Sequence, residues 1–286
     1  MRTRILLFIV TILAFSSCKE TRIHDHTDWG KFYEAHGIKN ACIMIRDNNH
    51  ESVDYYNKER CMERFMPAST FKIMGSLVGL ETAIAPDEQY VIPWDSVVRG
   101  RDTCNRNMSM REAFRVSCYG YFKAIADKAG RKTLQEYLDT VKYGNMELGK
   151  EFDAAWVTDG VLKISADEQV GFVKRLYFNE LPFSERTQRI VRSMMLWEET
   201  PEYRLSYKTG TGEIGDKYIY WVVGFVERIT TGKEHEKSMN KTNFREYPYF
   251  FAQNYEAPKN DTTKDHMQIR VEILKQILKE HGAMPK

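Results

Sequence analysis

No sign of charge dominates this chain. Its 286 residues carry 42 basic against 40 acidic side chains, so it lacks the basic field that draws nucleic acid, and no nucleic-acid partner is expected. None of its five cysteines forms a CxxC pair, which removes the usual signature of a cysteine metal site. Among seven histidines the only close spacing is "HDH" at 24–26. In a polar stretch that tripeptide reads as solvated linker, and no metal is expected. There is no internal repeat and no low-complexity run. The longest apolar run, Ile5 to Phe15 with Thr11 inside it, is too short for a comfortable membrane span.

What is present suits a globular domain. Hydrophobic residues make up 42% and aromatics 13%, enough for a core in one large domain or two intimately packed lobes. Arg2 and Arg4 ahead of the apolar run, and "AFSSC" behind it, read as an export signal spanning residues 1–18. The pattern resembles a bacterial lipoprotein signal with Cys18 as the lipidated residue; a conventional cleavage site nearby is the alternative. Residues 19–30 are polar and read as a tether, leaving 31–286 as one domain. In an oxidising compartment Cys42, Cys61, Cys104 and Cys118 could form disulfides, and the spacing assigns no pairs.

Within the domain, "NACIMIRD" and "SVDYYN" flank the turn signal "DNNHE" and predict a two-stranded hairpin. From Ser69 to about Leu196 the pattern is mostly helical. Ser109 with Glu112 forms a capping box ahead of "AFRVSCYGYFKAIADKAG", and Gly130 is expected to close that helix. "KYIYWVVGFVERI" and "YPYFFAQNYE" read as strands, joined by a long polar loop between Ile229 and Tyr247. The last segment puts Met267, Val271, Leu274 and Leu278 on one face of an amphipathic helix that stops at Gly282. Strands near both ends with helices between them predict an α+β fold: one antiparallel sheet built from both termini, with a helical subdomain at about 75–200.

Chemistry concentrates in "MPASTFKIMGSLVGL", residues 66–80. Ser69 and Lys72 lie three apart and share a helical face. A serine at a helix start sits in positive potential that favours an oxyanion. Burial among Phe71, Ile73 and Met74 would favour a neutral amine able to take the serine proton. The spacing alone is weak, because S-x-x-K is expected about once by chance in a chain of this size, and Ser238–Lys241 is a second copy. Lys208–Gly210, "KTG" ahead of a strong strand, is the second element. Lys208 offers a cation for a carboxylate, and Gly210 and Gly212 would let a ligand approach the backbone. S-x-x-K followed by K-T-G is the motif pair of serine β-lactamases and penicillin-binding proteins.

"PASTFKI", "YGN" at Tyr143 to Asn145, "AWVTDGVLKIS" around Trp156, and "YKTGTG" stand in the order and spacing of the class D β-lactamases. The chain resembles that family from about residue 35 to its end. The resemblance implies a three-layer α/β/α fold of the β-lactamase/D,D-peptidase type. It implies Ser69 as nucleophile and Lys72, carboxylated by carbon dioxide, as general base; no separate cofactor is expected. Trp156 would steady the carbamate. Lys208, Thr209, Gly210 and Arg270 would hold the substrate carboxylate, with the backbone N–H groups of Ser69 and Thr211 as oxyanion hole. Phe71, Tyr143 and Asn145 would shape the site wall. The family motif S-x-V is altered: "SCY", Ser117 to Tyr119, stands in its place, with Ser117 as proton relay and Tyr119 where the valine would lie over the carbamate. A literal S-x-V at Ser96–Val98 comes too early.

The leading expectation is a periplasmic, lipid-anchored β-lactamase whose partner is a β-lactam and whose membrane contact is the anchor alone. A non-turnover penicillin-binding sensor, a D,D-peptidase and a purely structural lipoprotein are the alternatives. Substrate range and oligomeric state are not readable from the sequence.

Overall fold

The computed structural model describes residues 21–100, 102–149, 161–230 and 245–286. The signal segment, Trp156, the core of the polar loop and the Ser238–Lys241 copy lie outside these residues.

The stretch read as a tether belongs to the folded domain. Arg22–Asp25 forms strand β1, followed by a 3₁₀ turn at Thr27–Trp29 and helix α1, Gly30–Glu34. All four side chains of β1 are exposed, so no alternation of apolar residues marked it. Its attachment is made by backbone pairing and by Trp29, which is 1% exposed.

The hairpin around "DNNHE" is present: β2 (Ala41–Asp47) pairs antiparallel with β3 (Ser52–Tyr56). Next come α2 (Lys58–Met62) and α3 (Lys72–Glu81), then a short ladder of β4 (Val91–Ile92) with β5 (Met108–Ser109). Four helices follow: α4 (Met110–Arg115), α5 (Tyr119–Val141), α6 (Ala166–Tyr177) and α7 (Glu185–Met195). The chain then returns to the sheet through β6 (Leu196–Glu199), β7 (Tyr203–Ile214), β8 (Lys217–Thr230) and β9 (Arg245–Pro258), and ends in α8 (His266–His281).

The sheet order is β1-β3-β2-β9-β8-β7-β6. It is antiparallel except for the β1–β3 pair, and the N- and C-terminal strands meet where β2 pairs with β9. Alternation along β2 divides the core between two faces. Ile43 and Ile45 pack toward α1 and α8, while Cys42 and Met44 pack toward the central helices. The result is the expected α+β, three-layer α/β/α architecture. Among the described residues no helix is long and apolar enough to cross a membrane, and the four cysteines there are buried and free.

Three local readings shift. The Ser109–Glu112 capping box is formed, but its helix stops at Arg115 instead of running on. Ser117, with φ 57°, breaks the chain between α4 and α5. Gly130, with φ 76° and ψ 158°, interrupts α5, and helix resumes beyond it. On α8 the buried face is Ile273, Leu274, Ile277 and Leu278, each fully buried and worth on the order of 2 kcal/mol. Met267 is 43% exposed, since the cleft described below opens over that end of the helix.

Candidate active site

The Ser69–Lys72 motif straddles a 3₁₀ turn, Ala68–Phe71, that leads into α3. Pro67 precedes it, and Ala68 adopts φ 49°, a left-handed conformation that L-residues hold only when surroundings enforce it. The enforcement is visible. The Thr70 hydroxyl donates to the Pro67 carbonyl at 2.6 Å and accepts from Gln169 Nε2 at 2.8 Å. The Trp221 indole donates to the Met66 carbonyl at 3.0 Å. Beyond Ser206, β7 has no β6 residue paired to its outer side, and the turn packs there. Gly210 and Gly212 make this possible: a Cβ on Gly210 would stand 3.0 Å from the Pro67 carbonyl oxygen, and one on Gly212 2.5 Å from Met66 Sδ. These glycines admit the serine-bearing turn, and Gly210 also lines the cleft described below.

Lys72 is 1% exposed, and its Nζ lies 2.8 Å from Ser69 Oγ. Phe122 lies over it, with its ring centroid 5.6 Å from Nζ. A cavity of about 10 Å³ borders the lysine, walled by Phe71, Gly75, Phe122, Ile125, Ala126 and Leu134. Lys208 is equally buried. It donates to Ser117 Oγ and, at 2.9 Å, to the Thr209 carbonyl, with Phe114 5.4 Å away. The break at Ser117 is what brings this hydroxyl to Lys208: a continued helix would carry it round the axis.

In front of both pairs lies a cleft of about 410 Å³, lined on one side by Ser69, Ser117, Thr209, Gly210 and Thr211. Arg270 closes one end; its guanidinium donates to the Gly210 carbonyl at 2.8 Å and to Thr211 Oγ1 at 2.9 Å. Arg115 lies on the wall, held over the Trp197 ring at 4.4 Å and bonded to the Leu196 carbonyl. Burial and neighbouring Arg111 lower its pKa from the usual value. Among the described residues no acidic side chain lines the cleft. Such a site can bind an anion and offer a hydroxyl nucleophile backed by an amine.

A family model, the penicillin-binding protein transpeptidase domain, matches residues 39–234. The chain is 31% identical over 282 residues to β-lactamase OXA-20 of Pseudomonas aeruginosa, covering 98% of this chain and 97% of that one. It is 31% identical to β-lactamase OXA-48 of Klebsiella pneumoniae, covering 91% and 90%. Among solved structures, the class D β-lactamase of Sebaldella termitidis superposes with a TM-score of 0.81 at 29% identity, covering 92% of this chain and 99% of that one. FUS-1 (OXA-85), a class D β-lactamase of Fusobacterium nucleatum subsp. polymorphum, gives 0.77 at 30% identity, covering 90% and 98%.

The chain belongs to the class D β-lactamases.

Not every class D motif residue reaches the cleft. Tyr143 is buried behind Phe71, with ring centroids 5.5 Å apart, and also meets Phe172; burial pushes its phenol pKa up. Asn145 donates to the Val161 carbonyl at 2.5 Å and accepts from the Lys163 N–H at 2.9 Å, so it ties a turn. Tyr119, at the first position of α5, is half-buried against the core and lines neither the cleft nor the small cavity. The ring over Lys72 is Phe122, one helical turn on. Ser96, with φ 62°, is in an exposed loop. Sequence reasoning missed Arg115, Thr103, Val116 and Met267 on the cleft, and Gln169 and Trp221 behind the serine turn. Arg115, two residues before Ser117, was within reach of the motif; Gln169 and Trp221 carry no local signal.

Proposed function

We propose that this class D β-lactamase hydrolyses β-lactams through a serine acyl-enzyme. The observation carrying the reading is the 2.8 Å contact of a 1%-exposed Lys72 amine with Ser69 Oγ beside a cleft lined, among the described residues, by two guanidiniums and no acidic side chain. Apolar walls disfavour an ammonium, and the cavity next to Lys72 has room for about one water-sized guest. These features fit carboxylation of the amine by carbon dioxide, with Trp156 in the supporting role that its motif implies. Bound there, the carbamate supplies an anionic base for both acylation and deacylation.

The chain's own groups do the rest. Ser69 Oγ attacks the lactam carbonyl, whose oxygen is held by the Ser69 and Thr211 N–H groups. Arg270 and Thr209 orient the substrate carboxylate. Ser117 passes a proton to the leaving nitrogen and is resupplied by Lys208. Water then releases the acyl group. The first 18 residues direct export, and lipidation at Cys18 would tether the enzyme in the periplasm.

Steady-state hydrolysis of a penicillin panel, with and without bicarbonate, tests the proposal. Turnover that bicarbonate raises is expected. A lasting acyl adduct without turnover would mark a penicillin sensor, and D-alanine release from a muropeptide would mark a D,D-peptidase; either replaces this reading.

A further inference from the structure

The "HDH" tripeptide does not lie in a solvated linker. His24 and His26 are two apart, so their side chains fall on one side of the chain. His24 is the register partner of Asp54 across the parallel β1–β3 pair. Both imidazoles turn onto that carboxylate: His24 Nδ1 is 3.0 Å and His26 Nε2 2.7 Å from Asp54 Oδ1. The other oxygen, Oδ2, meets His281 Nε2 from the end of α8 at 3.3 Å and accepts from Ser52 Oγ at 3.2 Å. Asp54 is 4% exposed, and its ion-pair partners among the described residues are imidazoles, with no lysine or arginine. Three segments distant in sequence thus converge at the floor of a cleft of about 570 Å³.

We propose that His24, His26 and Asp54 form a site for a divalent transition metal, zinc first, remote from the serine. One ligand atom from each residue lies within 4.8 Å of the other two. Ligands bound at about 2.1 Å to a tetrahedral ion stand about 3.4 Å apart, so modest rotation of the half-exposed imidazoles suffices. Two imidazoles and a carboxylate suit zinc, and the open side of the cleft leaves its fourth position to water. The ligand orientations are supported from behind. The His26 ring stacks on Trp29, with centroids 4.1 Å apart and planes 7° off parallel, and its Nδ1 faces the Asp28 carboxylate at 4.0 Å. His281 holds the oxygen of Asp54 that points away from the pair. Such neighbours help set the direction of metal ligands. A bound ion would clamp β1, the exposed edge strand next to the export segment, onto β3.

The test uses the untagged full chain, titrated calorimetrically with zinc, alongside His24→Ala and His26→Ala. Expected is about one ion per chain at this site, weakened at least about tenfold by either substitution, and unchanged by His36→Ala, which lies outside the cluster. Cobalt(II) in the unaltered chain should show the visible absorption of a tetrahedral nitrogen–oxygen site, a reading independent of how the variants fold. No zinc binding by the unaltered chain, or affinity in His24→Ala and His26→Ala equal to that of the unaltered chain, would overturn the assignment, as would a cobalt spectrum of purely octahedral type.

Discussion

The described residues include two buried lysine–serine pairs, and they differ in what surrounds the nitrogen. Lys72 and Lys208 are each 1% exposed, each donates to a serine hydroxyl, and each faces a phenylalanine ring. Lys208 also donates to the Thr209 carbonyl, and its serine opens on a cleft of hydroxyls and guanidiniums. Lys72 borders a cavity walled by five hydrophobic side chains and Gly75. A carbonyl acceptor stabilises an ammonium; apolar walls favour the neutral amine. Under the proposed mechanism the two equally buried lysines take different tasks: Lys208 would be the proton source and Lys72 the amine that carbon dioxide would carboxylate.

Removing each amine should separate the two tasks. Lys72→Ala is expected to lower kcat by about 10³-fold, within the range of general-base losses, and to trap an acyl-enzyme visible by intact mass spectrometry, because the proposed mechanism runs deacylation through it. Unchanged turnover would remove Lys72 from the mechanism. Lys208→Ala is expected to lower kcat/KM by about 10²-fold without a lasting adduct, since the proposed mechanism gives it a part in acylation. If it too accumulated acyl-enzyme, the two pairs would share one role.

Geometry can be perturbed without touching either amine. A methyl at Gly210 would press on the backbone of Pro67 and Thr70, at 3.0 and 3.2 Å. Gly210→Ala should cost about 1–2 kcal/mol of stability by chemical denaturation and about tenfold in kcat, by shifting the Ser69 turn off β7. Smallest of all, Tyr119→Val should change the deacylation rate by no more than about threefold, ~0.6 kcal/mol, because Tyr119 lines neither cavity. A large effect would mean that its side chain reaches the Lys72 pocket during turnover.

The asymmetry between the pairs also explains what could be read in advance. Ser69 and Lys72 are three apart on one turn, so local periodicity places them together. Ser117 and Lys208 are 91 residues apart; a motif marks each, but the contact depends on the left-handed break at Ser117, which helix patterning passed over. The central strands were legible from their β-branched and aromatic runs. Strand β1 was not, because an edge strand with every side chain exposed carries no hydrophobic alternation. Gly210 and Gly212 were legible as close-approach positions, but which chain approaches them is set by tertiary packing. Gln169 and Trp221, which fix the serine turn from α6 and β8, act through contacts that no local pattern encodes.

The proposed mechanism turns on uptake of carbon dioxide by the Lys72 amine. Carbon-13 NMR of the enzyme equilibrated with labelled bicarbonate tests it most directly. A carbamate resonance is expected in the unaltered protein, lost in Lys72→Ala, with an intensity that follows turnover as bicarbonate is withdrawn. An active enzyme with no such resonance, or one that persists in Lys72→Ala, would contradict it.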